Sequence, residues 1–203
     1  ATPMFQNPLV LGVDVVVHSA SKYLGGHSDL IGGVAVGGQE TIVSIGNQER
    51  STLGSIMGPQ DSWLLIRSLR TLPIRMKQHQ HSAMAVARFL ESHKKVERVL
   101  YPGLESHPQY ELARRQMSGC SGLLSFVPVG GDNDIRRFTK ALQLFEEGPS
   151  WGGYESILNT PGVGISVERS KTEGIPMGLV RISIGLENSE SLLNDLDQGL
   201  RSL

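Results

Sequence analysis

Residues 15–29, VVVHSASKYLGGHSD, run from a β-branched strand into a loop of small residues with one lysine, Lys22, at its crest. Val13 to His18 and Gly33 to Val36 are each β-rich and bounded by glycine or polar turn residues, the signature of short buried strands. The lysine loop lies between them. Ser19 and Ser21 flank Ala20 at the strand's end, where open α/β sheets present ligand-binding groups, and both hydroxyls can donate to a phosphate. The stretch is not a nucleotide-triphosphate loop of the Walker type, because there the glycines precede the Lys-Ser/Thr pair, whereas Gly25 and Gly26 follow Lys22. A lysine beside phosphate donors suits Schiff-base chemistry, in which its amine condenses with an aldehyde cofactor held by a phosphate, as with pyridoxal phosphate. A solvated lysine in a glycine-rich turn is the plainer alternative.

Composition narrows the partners. Nineteen basic and twenty acidic residues in 203 give a formal charge of −1, so no global field draws the chain to nucleic acid or an anionic membrane, and a small-molecule ligand is expected. Cys120 is the only cysteine, which excludes an internal disulfide framework and fits a reducing, cytoplasmic setting. No apolar run has the length of a membrane span, and the opening ATPMFQNPLVLGVD does not read as a signal peptide. His79 and His81 are two apart and diverge on a helix, so a polar helix surface is expected and no metal site. Asp29 is expected to form a local turn, and Cys120 to be a small packed residue.

Farther along, the pattern turns helical from Pro59 to His93, with Trp63, Ile66, Leu69 and Arg70 spaced to form a face and Pro73 expected to kink or break it. Such an interrupted helix bridges two domains, and a boundary is placed near Arg67, giving residues 1–66 and 67–203. Val96 to Tyr101, Gly122 to Val127 and Leu179 to Ile184 read as strands, and Asp132 to Leu144 and Ser189 to Leu200 as amphipathic helices, so the second part is α+β. The first part has too few strands to close a core alone.

Taken in order, ATPMFQNPL, HSASKYLGGHSD, GGVAVG, LRTLPIRMKQHQHSA, SGCSGLLSFV, SWGGYESI and VRISIGLE resemble the Cys/Met-metabolism pyridoxal-phosphate enzymes, which include cystathionine lyases and synthases, methionine γ-lyase and O-acylhomoserine sulfhydrylases. The resemblance spans essentially the whole chain. It implies an α/β chain corresponding to the carboxy-terminal half of a fold-type-I transferase: the end of a large pyridoxal-phosphate-binding domain followed by a small α+β domain. It also makes Lys22 the catalytic Schiff-base lysine and proton shuttle, and Ser19 and Ser21 phosphate-binding hydroxyls. Arg181, an arginine alternating with apolar residues in VRISIG, could be only a strand's solvent face; by the resemblance it binds the substrate's α-carboxylate as a two-pronged fork, helped by Ser150 and Trp151.

Trp151 resembles the pattern of bacterial cystathionine β-lyases, where γ-lyases and γ-synthases more often carry a smaller aliphatic residue. β-Elimination of cystathionine, or of a related cysteine conjugate, to a thiol, pyruvate and ammonia is therefore expected, with a γ-synthase, γ-lyase or sulfhydrylase as the alternative. The family's chains are about twice this length. The amino-terminal half that carries the aspartate facing the pyridine nitrogen is expected to be absent, and this chain inactive alone, or else a non-catalytic assembly module. A homo-oligomer of two or four copies with shared active sites is implied.

Overall fold

The computed structural model describes residues 1–203, an α/β arrangement with two separate sheets. β1 (Val15–Ser19) pairs antiparallel with β2 (Gly33–Gly37), from Val15 opposite Gly37 to Ser19 opposite Gly33. The loop joining them carries Lys22. Two short helices, α1 (Gln39–Asn47) and α2 (Glu49–Leu53), follow, and then α3 (Pro59–Leu69) and α4 (Leu72–Ser92). The second sheet is mixed, in the order β3-β4-β7-β6-β5: β3 (Val96–Leu100), β4 (Leu123–Pro128), β7 (Val180–Ser183), β6 (Ile157–Asn159) and β5 (Glu146–Glu147). All its pairs are antiparallel except β5 with β6. Helices α5 (Tyr110–Gln116), α6 (Asp132–Ala141), α7 (Val167–Glu173) and α8 (Ser189–Leu200) complete the chain.

α4 ties the two sheets together. Its buried positions Leu72, Met76, His79, Ala83, Val86, Ala87 and Leu90 recur at helical spacing and form one stripe. The stripe's first turns, Leu72 and Met76, join Ala20, Tyr23, Leu24, Leu30 and Leu65 in a small core under the lysine loop. Its later turns, from Ala83 to Leu90, join the larger core of the five-stranded sheet with Phe126, Ile182, Leu192 and Leu196. Removing a side chain such as Met76 from such a stripe costs about 2–5 kcal/mol.

The long helix breaks before Pro73, as expected: α3 ends at Leu69, and Pro73 occupies the first turn of α4, where its missing N–H is no loss. Other expectations are corrected. The face of Trp63, Ile66 and Leu69 points outward, Trp63 being 57% exposed, while Leu65 and Ser68 are the buried residues of α3. Both stripes fit a helical period, and only packing on the lysine loop selects between them. α6 stops at Ala141 because Leu142 is extended. The one-turn and two-turn helices and the two- and three-residue strands β5 and β6 are too short to show a period.

Candidate active site

The loop after β1 is a single wide turn, closed by Gly25 N–H donating to Ala20 O at 2.7 Å, and Lys22 within it is non-helical, at φ −96° and ψ −136°. The turn is sewn to the start of β2: Ala20 N–H donates to Gly32 O at 2.8 Å, and Gly32 N–H to Ser21 Oγ at 3.0 Å. Ser21 thus braces the loop. The Ser19 hydroxyl has no partner within the chain and stands exposed at the strand's end. Lys22 Nζ donates to Ser150 Oγ at 2.8 Å and lies 5.6 Å from the ring centre of Trp151, within reach of a cation–π interaction. These residues are separated by 128 positions.

The segment from Ser150 to Ser156 is held against this amine from several sides. Gly152 N–H donates to Ser183 Oγ at 3.0 Å on β7, and Ser28 Oγ donates to Glu155 Oε1 at 2.5 Å from the far end of the lysine loop. Glu187 accepts from both Ser156 N–H and Ser156 Oγ. Gly152 adopts φ +82°, and a Cβ there would lie 2.8 Å from the Tyr23 backbone nitrogen. Glycine is required on both counts.

Arg181, on β7 between buried Val180 and Ile182, turns its side chain to the same segment. Its Nη2 donates to Pro149 O at 3.0 Å and Ser150 O at 2.9 Å, while Nε is buried without an acceptor. Burial lowers its pKa, but a guanidinium stays charged across the ordinary pH range. A cavity of about 340 Å³ lies between the amino-terminal segment and β1, with Gln6, Val16, His18, Ser19 and Trp151 on its wall; Lys22, Ser150 and Arg181 do not line it, and Trp151 is the residue it shares with their cluster.

Composition and spacing missed four residues here. Tyr23 is 1% exposed; its Oη accepts from Gly122 N–H at 2.8 Å and its carbonyl from Arg75 Nη1 at 2.7 Å. Arg75 has no carboxylate partner and also donates to Ser68 O and Thr71 Oγ1. Glu155 and Ser28 link the two motifs across the site. The sequence signal for Arg75 is its place beside Leu72, Met76 and His79 on one helical face, since a polar residue on a buried stripe needs partners.

His79 corrects an expectation: it is fully buried, not a polar surface residue, whereas His81 is exposed. Its Nδ1–H donates to Ile184 O at 2.8 Å, while Nε2 is buried without a partner. Burial lowers its pKa below the usual histidine value. An orphan of this kind costs about 1–3 kcal/mol. Asp29 is exposed beside a left-handed Ser28, in keeping with a turn. Cys120 is half-buried against the larger core, and burial pushes its thiol up. No helix is long and apolar enough to cross a membrane.

The Lys22 amine on the Ser150 hydroxyl, and a guanidinium that grips the Ser150 carbonyl and keeps an unpaired Nε, form a cluster of donors of the kind that suits a small anionic group, within an α/β chain. The chain belongs to the Cys/Met metabolism PLP-dependent enzyme family, whose model matches residues 1–201. It is 46% identical over 202 residues to the cystathionine γ-lyase of Sus scrofa, covering 98% of this chain and 50% of that protein. With the cystathionine β-lyase of Lactococcus lactis subsp. cremoris (strain MG1363) it shares 42% over 204 residues, 98% of this chain and 53% of the relative. The cystathionine γ-lyase of Bacillus subtilis (strain 168) is 42% identical over 206 residues, 100% and 54% respectively. The chain spans about half the length of these relatives.

Proposed function

We propose that Lys22 is the amine that carries pyridoxal phosphate in a carbon–sulfur lyase of sulfur amino acid metabolism. One observation carries the reading: Lys22 Nζ, Ser150 Oγ and, through the Ser150 carbonyl, Arg181 converge from three distant segments. The donor set fits the cofactor and an amino acid together. Ser19, with its hydroxyl free, and Ser21 serve the phosphate, and Arg181 Nε, buried and without an internal acceptor, is the donor that a substrate carboxylate satisfies. Bound there, pyridoxal phosphate supplies an electron sink that lowers the barrier to losing the α-proton. Ser150 Oγ fixes the direction of the Lys22 amine, which takes the α-proton and later returns a proton to the departing sulfur. Trp151, beneath the amine, walls that side of the site with an apolar face.

β-Elimination of cystathionine or a related cysteine conjugate, giving a thiol, pyruvate and ammonia, is the favoured reaction. Trp151 supports it, and γ-elimination or γ-replacement is the alternative because relatives of both lyase names match at similar identity. Residues 1–66 are proposed as the end of a large cofactor-binding domain and 67–203 as a small α+β domain, the carboxy-terminal half of a fold-type-I enzyme; the two sheets with separate cores support this. Exposed Val17 and Ile31 on the two-stranded unit and Trp63 and Ile66 on α3 support action within a larger assembly; we propose two or four copies with shared active sites, a cytoplasmic setting, and little activity in these 203 residues alone.

Trapping with borohydride after adding pyridoxal phosphate, followed by peptide mapping, tests the site: the adduct is expected on Lys22, and its absence there refutes the assignment. In the complete enzyme, cystathionine is expected to give homocysteine and pyruvate; cysteine and 2-oxobutyrate would move the protein to γ-elimination.

A further inference from the structure

We propose that Tyr23 is the positioning residue of Lys22, and that His79 and Arg75 hold Tyr23 so that the amine stays at Ser150. The inference rests on Lys22 being the cofactor-bearing amine. The local turn does not by itself fix Lys22, whose φ and ψ lie outside the helical region while its side chain bonds only at the Nζ tip, to Ser150 Oγ. The next residue supplies the restraint.

Tyr23 gathers three other parts of the chain around the lysine. Its Oη accepts from Gly122 N–H, just before β4; its carbonyl accepts from Arg75 Nη1 on α4. Its ring meets His79 edge-on at 5.1 Å between centroids, and it lies tilted against Trp151 at 5.6 Å. Its backbone nitrogen sits directly beneath Gly152, closer than any side chain would permit. A shift of the Tyr23 ring therefore moves Trp151, whose ring lies 5.6 Å from the same amine, and a shift of the Tyr23 backbone disturbs Gly152, which packs on the Lys22 main chain.

His79 backs the ring from the other side. Its Nδ1–H is fixed on Ile184 O at the end of β7, the strand that carries Arg181, so the imidazole links α4, Tyr23 and the strand of the carboxylate-binding guanidinium. A leucine would fill this position in the stripe without leaving Nε2 unpaired. Retaining an imidazole there makes sense if its bond to Ile184 O sets the ring that Tyr23 leans on. Arg75 completes the frame, because its guanidinium is spent on carbonyls of the loop and on the α3–α4 junction and pairs with no acid.

The test compares the wild-type protein with Tyr23→Phe, which removes one hydroxyl, with His79→Leu, and with Leu65→Val as a destabilised control in the same small core. Two readouts are taken under conditions where each melts well above the assay temperature. The first is pulse acylation of lysines without cofactor, scored by mass spectrometry against the exposed Lys94 and Lys171. The second is the share of borohydride-trapped pyridoxal phosphate found on Lys22 rather than on other lysines. Acylation of Lys22 is expected to rise at least threefold and its share of trapped cofactor to fall at least fivefold in Tyr23→Phe and His79→Leu, with Leu65→Val unchanged.

Wild-type levels of both readouts in Tyr23→Phe and His79→Leu would overturn the positioning role while leaving Lys22 as the cofactor amine. Equal changes in Leu65→Val would overturn it too, because general loosening would then suffice. Failure to trap cofactor on Lys22 in the wild type would refute the site assignment itself, and the positioning role with it. If His79→Leu does not fold, Tyr23→Phe alone decides.

Discussion

Gly152→Ala puts the closeness of the SWGG turn to the lysine loop to a quantitative test. Gly152 sits at φ +82°, and an added Cβ would meet Tyr23 N at 2.8 Å and the Lys22 carbonyl carbon and Cβ at 3.3 Å. Two costs add. A left-handed conformation costs an L-residue roughly 1–2 kcal/mol, and forcing an atom into a packed contact that consists largely of backbone adds about 1–3 kcal/mol. Their sum is about 2–5 kcal/mol. Gly164 provides the reference, because its φ of +73° demands the same backbone conformation while nothing lies within 4 Å of its would-be Cβ. Gly164→Ala should therefore cost only the backbone part, about 1–2 kcal/mol. Urea unfolding of both variants and the wild type, followed by far-UV circular dichroism, measures the difference. Gly152→Ala should exceed Gly164→Ala by at least 1 kcal/mol, on the order of the packing cost, and should also reduce trapping of pyridoxal phosphate at Lys22, which Gly164→Ala leaves intact. Equal destabilisation by the two substitutions would refute the packing of residues 150–156 on the lysine loop.

Other outcomes follow from the same geometry. His79 is buried neutral with its pKa lowered, so below about pH 6.5 the unfolded chain takes up a proton that the folded chain refuses. Its contribution to stability is present above that pH and is lost on acidification by up to about 1.4 kcal/mol per pH unit; urea titrations from pH 7.5 to 5.0 should show a shallower decline in His79→Leu, and identical slopes would refute a buried neutral imidazole. For Arg181→Lys, an ammonium carries all its donors on one nitrogen, so the carbonyls of Pro149 and Ser150 compete for the same group and the separate Nε–H is lost. In the catalytically competent protein the KM for the amino acid should rise about 30-fold or more, the equivalent of about 2 kcal/mol, with kcat changed less; an unchanged KM would remove Arg181 from carboxylate binding.

Much of this protein is written locally. VVVHSASKYLGGHSD announces its strand, its small-residue turn and its lysine, and the order of motifs from ATPMFQNPL to VRISIGLE carries the family, because each needs only neighbouring residues to be read. α8 spans the predicted Ser189 to Leu200 because its apolar period and the Asn188 cap are both local. What the sequence leaves open are choices between faces and partners. α3 has two apolar stripes, and contact with the lysine loop buries Leu65 and Ser68 while leaving Trp63 and Ile66 in solvent. Two histidines two residues apart look alike as letters, yet the stripe of α4 sends His79 into the core and His81 outward. Ser150 meets Lys22 across 128 residues, and Arg75 becomes the anchor of the lysine loop only once α4 folds beneath Tyr23. Local propensity and motif spacing act within a few residues of chain, so they reach the longer elements and the motifs and miss the two- and three-residue strands β5 and β6. Which side chains stand within hydrogen-bonding reach of the amine depends on long-range packing, and that only the tertiary structure decided.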